Sequence, residues 1–171
     1  MHGVFLNRFL AKPKSVGSLF PSSRHLGRQM AKATVGLPTV DSIVEIGAGT
    51  GAITRHLQYL NPIIVEIEEA FALLLRREFP RLDIRHGCGL QFLQGLDSPI
   101  GLVISVPLIN NPLKQRFIEE IQRGYKAGYI KWCVIYTYGL ASPLEDVGFY
   151  CSRRSKWVVA NVPPAHVWVY Y

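Results

Sequence analysis

Three glycines at alternate positions, Gly47, Gly49 and Gly51, stand directly behind Glu45 at the end of a short apolar run. Glycine lets a backbone turn tightly and approach a ligand closely. The spacing is GxGxG, not the GxGxxG of dinucleotide loops, and the Lys-Ser/Thr of a phosphate-cradling loop is missing. Glu45 places a carboxylate beside the turn, which suits a cation better than a pyrophosphate. A second carboxylate, Glu66, lies at the end of the β-branched run 63–67. An ionised carboxylate there can accept hydrogen bonds from both hydroxyls of a ribose. A third turn reads His86-Gly87-Cys88-Gly89. A thiol is a weak acceptor, so Cys88 is a small packed side chain, a reactive thiol, or a metal ligand shared with His86. A fourth turn, Ser105-Val106-Pro107-Leu108, offers a hydroxyl and carbonyls to an incoming amine.

These turns need a scaffold that gathers them. From residue 42 the sequence alternates strand-like and helix-like segments: strands over 42–46, 63–67, 82–85, 101–106 and 129–138, and helices over 51–59, 69–79 and 112–127. Segments 156–162 and 165–170 flank Pro163-Pro164 and suggest a terminal antiparallel pair. The expected fold is α/β, a single Rossmann-like domain with a mostly parallel sheet, a C-terminal antiparallel hairpin and an N-terminal helical extension. Ligands of such sheets bind at the carboxyl ends of the strands, which is where all four turns fall.

The 171 residues suffice for one domain, and 49% apolar composition supports a sizeable core. No apolar run approaches the ~20 residues of a membrane-spanning helix. Arg8, Lys12, Pro13 and Lys14 interrupt anything like a secretory signal. Three cysteines without a CxxC give no support to a disulfide framework or a zinc cluster, and no metal is expected. The net charge of +7 is segregated, because six bases (Arg8, Lys12, Lys14, Arg24, Arg28, Lys32) precede the first acid, Asp41. Residues 1–40 thus read as a basic amphipathic helical extension and 41–171 as the ligand-binding domain. Ser22 or Ser23 can cap a helix on which Leu26, Met30 and Ala33 form the apolar side and Arg24, Arg28 and Lys32 share a face. Such a segment fits nucleic acid, an anionic membrane surface, or simply a solvated face.

The segment VEIGAGTG resembles motif I of class I S-adenosylmethionine-dependent methyltransferases. FLAKPKSVGSLFPSSRHL, SVPLINNP, YTYGLASPL and NVPPAHVW resemble bacterial phospholipid N-methyltransferases, cousins of the rRNA adenine dimethyltransferases. The resemblance implies a transferase that binds S-adenosylmethionine and methylates the amine head group of phosphatidylethanolamine or its methylated derivatives. It further implies a cytoplasmic enzyme held peripherally on the inner face of the membrane, and a monomer is expected. By the same resemblance Gly47, Gly49 and Gly51 wrap the amino-acid part of the cofactor and Glu45 answers its ammonium. Glu66 would take the ribose and Ile67 the adenine face. The backbone of Cys88 or Gly89 would reach the adenine edge. Ser22 and Ser23 fall near the methionine end, while Ser105, Pro107, Tyr136 and Tyr138 surround the acceptor amine. Arg8, Lys12, Lys14 and Arg24 would rest on lipid. Arg153, Arg154 and Lys156 would either hold the lipid phosphate or form a solvated loop. His166 reads as a structural residue or a general base. Three departures stand out: Cys88 for an acid, Ser105-Val106 for Gly-Leu, and Leu108 where base-methylating enzymes carry an aromatic. The alternatives are an RNA adenine N-methyltransferase, which the basic N-terminus favours, and a non-catalytic membrane-binding module.

Overall fold

The computed structural model describes residues 23–106, 108, 111–144, 147–155, 157–161 and 163–171. The first 22 residues of the expected N-terminal helical extension lie outside them. Helix α1 (Arg24–Ala33) begins at Ser23, whose hydroxyl accepts the Leu26 N–H at 3.2 Å, so the capping role falls to Ser23. Strands β1 (Ser42–Ile46), β2 (Ile63–Glu66), β3 (Ile84–His86), β4 (Ile100–Ile104) and β5 (Ile130–Thr137) run parallel. Helices α2 (Thr54–Leu57), α3 (Glu69–Glu78), α4 (Gly89–Gln94) and α5 (Lys114–Lys126) connect them. Strands β6 (Ser152–Arg154) and β7 (His166–Tyr170) complete a seven-stranded sheet in the order β3-β2-β1-β4-β5-β7-β6, with β7 antiparallel to both its neighbours.

The sheet is buried on both faces, which is why β4 is apolar throughout, with every residue buried. Alternation sends Val44, Ile46, Leu102 and Ile104 towards Leu90 and Leu93 of α4 and Phe117 and Ile121 of α5. The opposite face, with Val103 and Val134, receives Leu26 and Met30 of α1 and Ile53 and Leu57 around α2. Ala72 and Leu75 of α3 close the same side over Ile64 and Ile84. No helix among the described residues is long and apolar enough to cross a membrane.

Two expected elements are corrected. The terminal antiparallel pair is not formed by 156–162: β7 lies between β5 and β6, and residues 157–161 contribute only the isolated bridge Val158–Ala165. Prolines cannot donate to a ladder, so pairing next to Pro163-Pro164 is interrupted, while β5 offers β7 a five-residue register. The helix expected over 51–59 shrinks to one α turn followed by a 3-10 turn at Gln58–Leu60. Gly51, at φ 78°, still belongs to the loop, and Asn61, at φ 50°, stops the far end.

Candidate active site

The first turn leaves β1 through Gly47, Gly49 and Gly51, all with left-handed φ between 54° and 78°. A Cβ on Gly49 would meet no atom within 4 Å, so this part of the loop faces open space. Its curvature is held from β2. Glu66, 2% exposed, accepts the Gly49 N–H at 2.8 Å on one carboxylate oxygen and the Glu68 N–H at 2.9 Å on the other. A carboxylate has about four acceptor directions, so two remain for the hydroxyls of a ligand.

Glu45 sits one residue before the end of β1 and is wholly buried. Its Oε1 accepts the Ser105 hydroxyl at 2.6 Å, and its Oε2 has no hydrogen-bond partner. The buried Thr54 hydroxyl, at the start of α2, lies near the same carboxyl but outside good hydrogen-bond geometry. Burial pushes the Glu45 carboxyl from 4.5 up to about 7, against the opposing pull of the Ser105 and Thr54 side chains, while the nearby Glu66 charge adds to the rise. An unpaired carboxylate oxygen is costly in such a place unless a cationic group meets it. Glu45 with the open glycine loop and the acceptor directions of Glu66 therefore fits a ligand carrying both an ammonium and a diol. S-adenosylmethionine has both.

Ser105 lies where β4 ends, its N–H bonded to the Ile46 carbonyl at 2.9 Å. On the neighbouring strand, the buried Tyr136 hydroxyl donates to the Ser105 carbonyl over a long 3.4 Å. Tyr138 is half-buried and packs edge-on against Tyr136, with centroids 5.6 Å apart. Ser105, Glu45, Tyr136 and Tyr138 therefore gather at the carboxyl rim. Ile67, 37% exposed, lies beyond β2 on the same rim. Leu108 is 2% exposed and packs into the core, so it offers no surface to a base.

Cys88 is the residue before α4, half-buried against the core cluster, without a side-chain hydrogen bond to the helix start. The His86 ring pairs with the Ile67 carbonyl at 3.1 Å, not with a shared metal site, and no metal-binding group occurs among the described residues. Gly89 starts α4 against Ile46. Arg153 and Arg154 stand on a solvated edge strand where a solvated loop was expected. They lie on edge strand β6, over the rings of Tyr171 and Trp168 at 5.2 and 5.5 Å. Three strand spacings separate β6 from β4, roughly 14 Å, so they do not reach Ser105. His166 is 3% exposed, hydrogen-bonded through Nδ1 to the Ser155 carbonyl at 2.9 Å, with the Trp157 ring tilted against it at 3.8 Å between centroids. Trp157 itself is 43% exposed, unlike the buried Trp132 and Trp168. Arg8, Lys12, Lys14, Ser22, Pro107 and Lys156 lie outside the described residues.

Two contributors escaped the sequence reading. Thr54 has a signal, a hydroxyl three residues past Gly51 and directly after the apolar pair Ala52-Ile53. Asn161 has none. Its side chain accepts the Ser23 N–H at 2.8 Å and donates to the Pro163 carbonyl at 2.7 Å, which ties α1 to the β7 end of the rim.

No family model matches the chain. Among curated proteins it is similar to ribosomal RNA small subunit methyltransferase A of Thermotoga petrophila, at 32% identity over 114 residues, covering 62% of this chain and 42% of the relative. The same protein of Chlorobium phaeobacteroides matches at 28% over 118 residues, covering 65% of this chain and 43% of the relative. The chain thus spans about two-fifths of the length of these relatives. Among solved structures, a SAM-dependent methyltransferase from Archaeoglobus fulgidus superposes with TM-score 0.64 at 15% identity, covering 96% of this chain and 99% of that one. The 23S rRNA methyltransferase ErmE superposes with TM-score 0.62 at 18% identity, covering 86% and 68%. The fold is that of the SAM-dependent methyltransferases. The expected phospholipid acceptor is corrected by the curated relatives, which are ribosomal RNA methyltransferases. The motifs that suggested lipid are four short segments, 9–26, 105–112, 136–144 and 161–168, whose similarity carries less weight than an alignment over 114 residues.

Proposed function

We propose that this chain is an S-adenosylmethionine-dependent methyltransferase acting on ribosomal RNA, with an exocyclic adenine amine as acceptor. The observation that carries this reading is the alignment over about two-thirds of the chain with ribosomal RNA small subunit methyltransferases. The site geometry is compatible with it. Glu45, Glu66 and the glycine loop would hold the cofactor, with Ile67 beside the adenine ring and the Cys88–Gly89 backbone at its edge. When bound, the cofactor supplies a methyl group on a sulfonium, an electrophile that needs no further activation.

The protein's own task is to place an amine and shape its hydrogen bonds. The Ser105 hydroxyl gives its proton to Glu45 in a hydrogen bond, which leaves its oxygen lone pairs free to accept an amine N–H. The Ser105 carbonyl is a second acceptor on the same residue, held in place by the Tyr136 hydroxyl. Two acceptors facing an aromatic amine favour the conformation in which its nitrogen lone pair leaves the ring plane. A base taken out of a stack also needs an aromatic surface. With Leu108 buried, the half-buried Tyr138 provides one at this rim.

The test is transfer from methyl-labelled S-adenosylmethionine to small-subunit ribosomal RNA, followed by digestion to nucleosides. Label in methylated adenosine is the expected result. Label in another nucleoside would overturn the acceptor, and unlabelled RNA from protein that binds the cofactor would overturn the RNA reading.

A further inference from the structure

A charged surface outside the cofactor site extends the RNA reading and rests on it. Helix α1 exposes Arg24, Arg28 and Lys32 along one face, while Leu26, Met30 and Ala31 are buried on the other. Helix α2 packs beside it and adds the exposed Arg55. The two helices touch at the turn between Arg24 and Arg28: a Cβ on Gly27 would fall 2.5 Å from Cδ2 of His56. The three guanidinium groups lie close enough to His56 to help lower its proton affinity, after burial itself, and its Nε2 is buried without a partner.

This cluster breaks the local rules of helix electrostatics. Arg24 occupies the first helical position, where the macrodipole favours an acid, and no acid stands in the first turn of α1. Like charges four residues apart destabilise a helix. Arg24, Arg28 and Lys32 make no ion pair among the described residues. Arg55 shares Glu78 at 2.9 Å in a pair whose side chains are 51% and 39% exposed, and water screens it. Repulsion of this kind, retained without internal compensation, points to an external anion.

Position and chemistry select the anion. The N-terminus of α1 is tied to the carboxyl rim by the Ser23–Asn161 bond, and α2 follows the glycine loop directly. The surface therefore starts at the rim that carries Ser105 and runs down the α1–α2 side. A lipid surface would require apolar side chains beside the charges. Here the exposed side of α1 carries Arg24, His25, Arg28, Gln29 and Lys32, while Leu26 and Met30 are 0% exposed. We propose that Arg24, Arg28 and Arg55 form a docking surface for the phosphodiester backbone of the RNA strand whose base enters the Ser105 site.

The experiment measures binding of a fluorescent single-stranded RNA between about 50 and 200 mM salt. In the Arg24→Gln/Arg28→Gln variant the slope of log K against log salt should fall by about 1.4, or 0.7 for each phosphate that is no longer neutralised. The Arg24→Lys/Arg28→Lys variant should keep most of the slope, and S-adenosylmethionine affinity should be equal in all three proteins. An unchanged slope in the Gln variant overturns the docking surface. So does a Gln variant that loses binding only to vesicles of anionic phosphatidylglycerol while RNA binding stays intact. Failure of the functional reading looks different: wild-type protein would then bind cofactor yet transfer no methyl group to RNA.

Discussion

Glu45→Gln should abolish a pH dependence of folding stability that is unusual in sign for a carboxylate. The Glu45 side chain is fully buried, and burial, opposed by the Ser105 and Thr54 side chains, holds its carboxyl at about 7 instead of 4.5. The folded protein therefore keeps this proton up to about pH 7, while the unfolded chain releases it near 4.5. The stability so contributed is complete below 4.5 and is lost as the pH rises to about 7. A gap from 4.5 to about 7 corresponds to about 3 kcal/mol. His56 works in the opposite sense. Burial and the charges of Arg28, Arg55 and Arg24 lower it from 6.5, so its contribution is lost as the pH falls through the range below 6.5. Urea unfolding followed by the fluorescence of the buried Trp132 and Trp168, at several values from about pH 5 to 8, separates the two if run on wild type, Glu45→Gln and His56→Gln. The expected outcome is a wild-type stability that falls towards neutral pH, and a Glu45→Gln variant that loses this fall and keeps only the decline towards acid that His56 contributes. Parallel profiles for the two proteins would refute the account of a buried, protonated carboxyl. The ligand argument adds a second readout: cofactor affinity should weaken as the pH falls below about 7 in wild type and lose that dependence in Glu45→Gln.

Two further outcomes follow from the packing. Glu66→Ala removes the acceptor of two backbone N–H groups and both free acceptor directions, so titration calorimetry should show cofactor affinity reduced roughly tenfold; unchanged affinity would sink the ribose assignment. Gly101→Ala would drive a Cβ into the ring of Trp132, which is 2% exposed and hydrogen-bonded to the Pro38 carbonyl at 3.0 Å. The overpacking should cost about 1–3 kcal/mol and lower the melting temperature, and an unchanged melting temperature would show that β4 and β5 can part without penalty.

The parallel core was readable because buried strands are written as apolar runs: residues 42–46, 63–66 and 100–104 carry little else. The elements that escaped carry no such signature. Helix α4 is six residues long, opens on Gly89 and shows too few turns for a period. Strand β6 is Ser-Arg-Arg, exposed at all three positions, and is a strand only because the edge of β7 offers it partners. The same distinction divides the candidate site. The glycine loop with Glu45, and the strand end with Glu66, depend on residues adjacent in sequence, so their pattern exposed them. The acceptor side joins Ser105 to Glu45 across 60 positions and to Tyr136 across 31.

The sequence by itself determined the fold class, the cofactor turn and the concentration of positive charge before Asp41, because each is a local pattern of residue type and spacing. Tertiary structure alone decided three other matters. It turned Leu108 inward, away from any base. It stranded Arg153 and Arg154 on the far edge of the sheet. It set Arg55 and His56 of α2 against α1 beside Arg24 and Arg28. The physical reason is common to all three: strand order and the choice of buried face are settled by packing across the sheet, and no short stretch of chain encodes which distant residues it will meet.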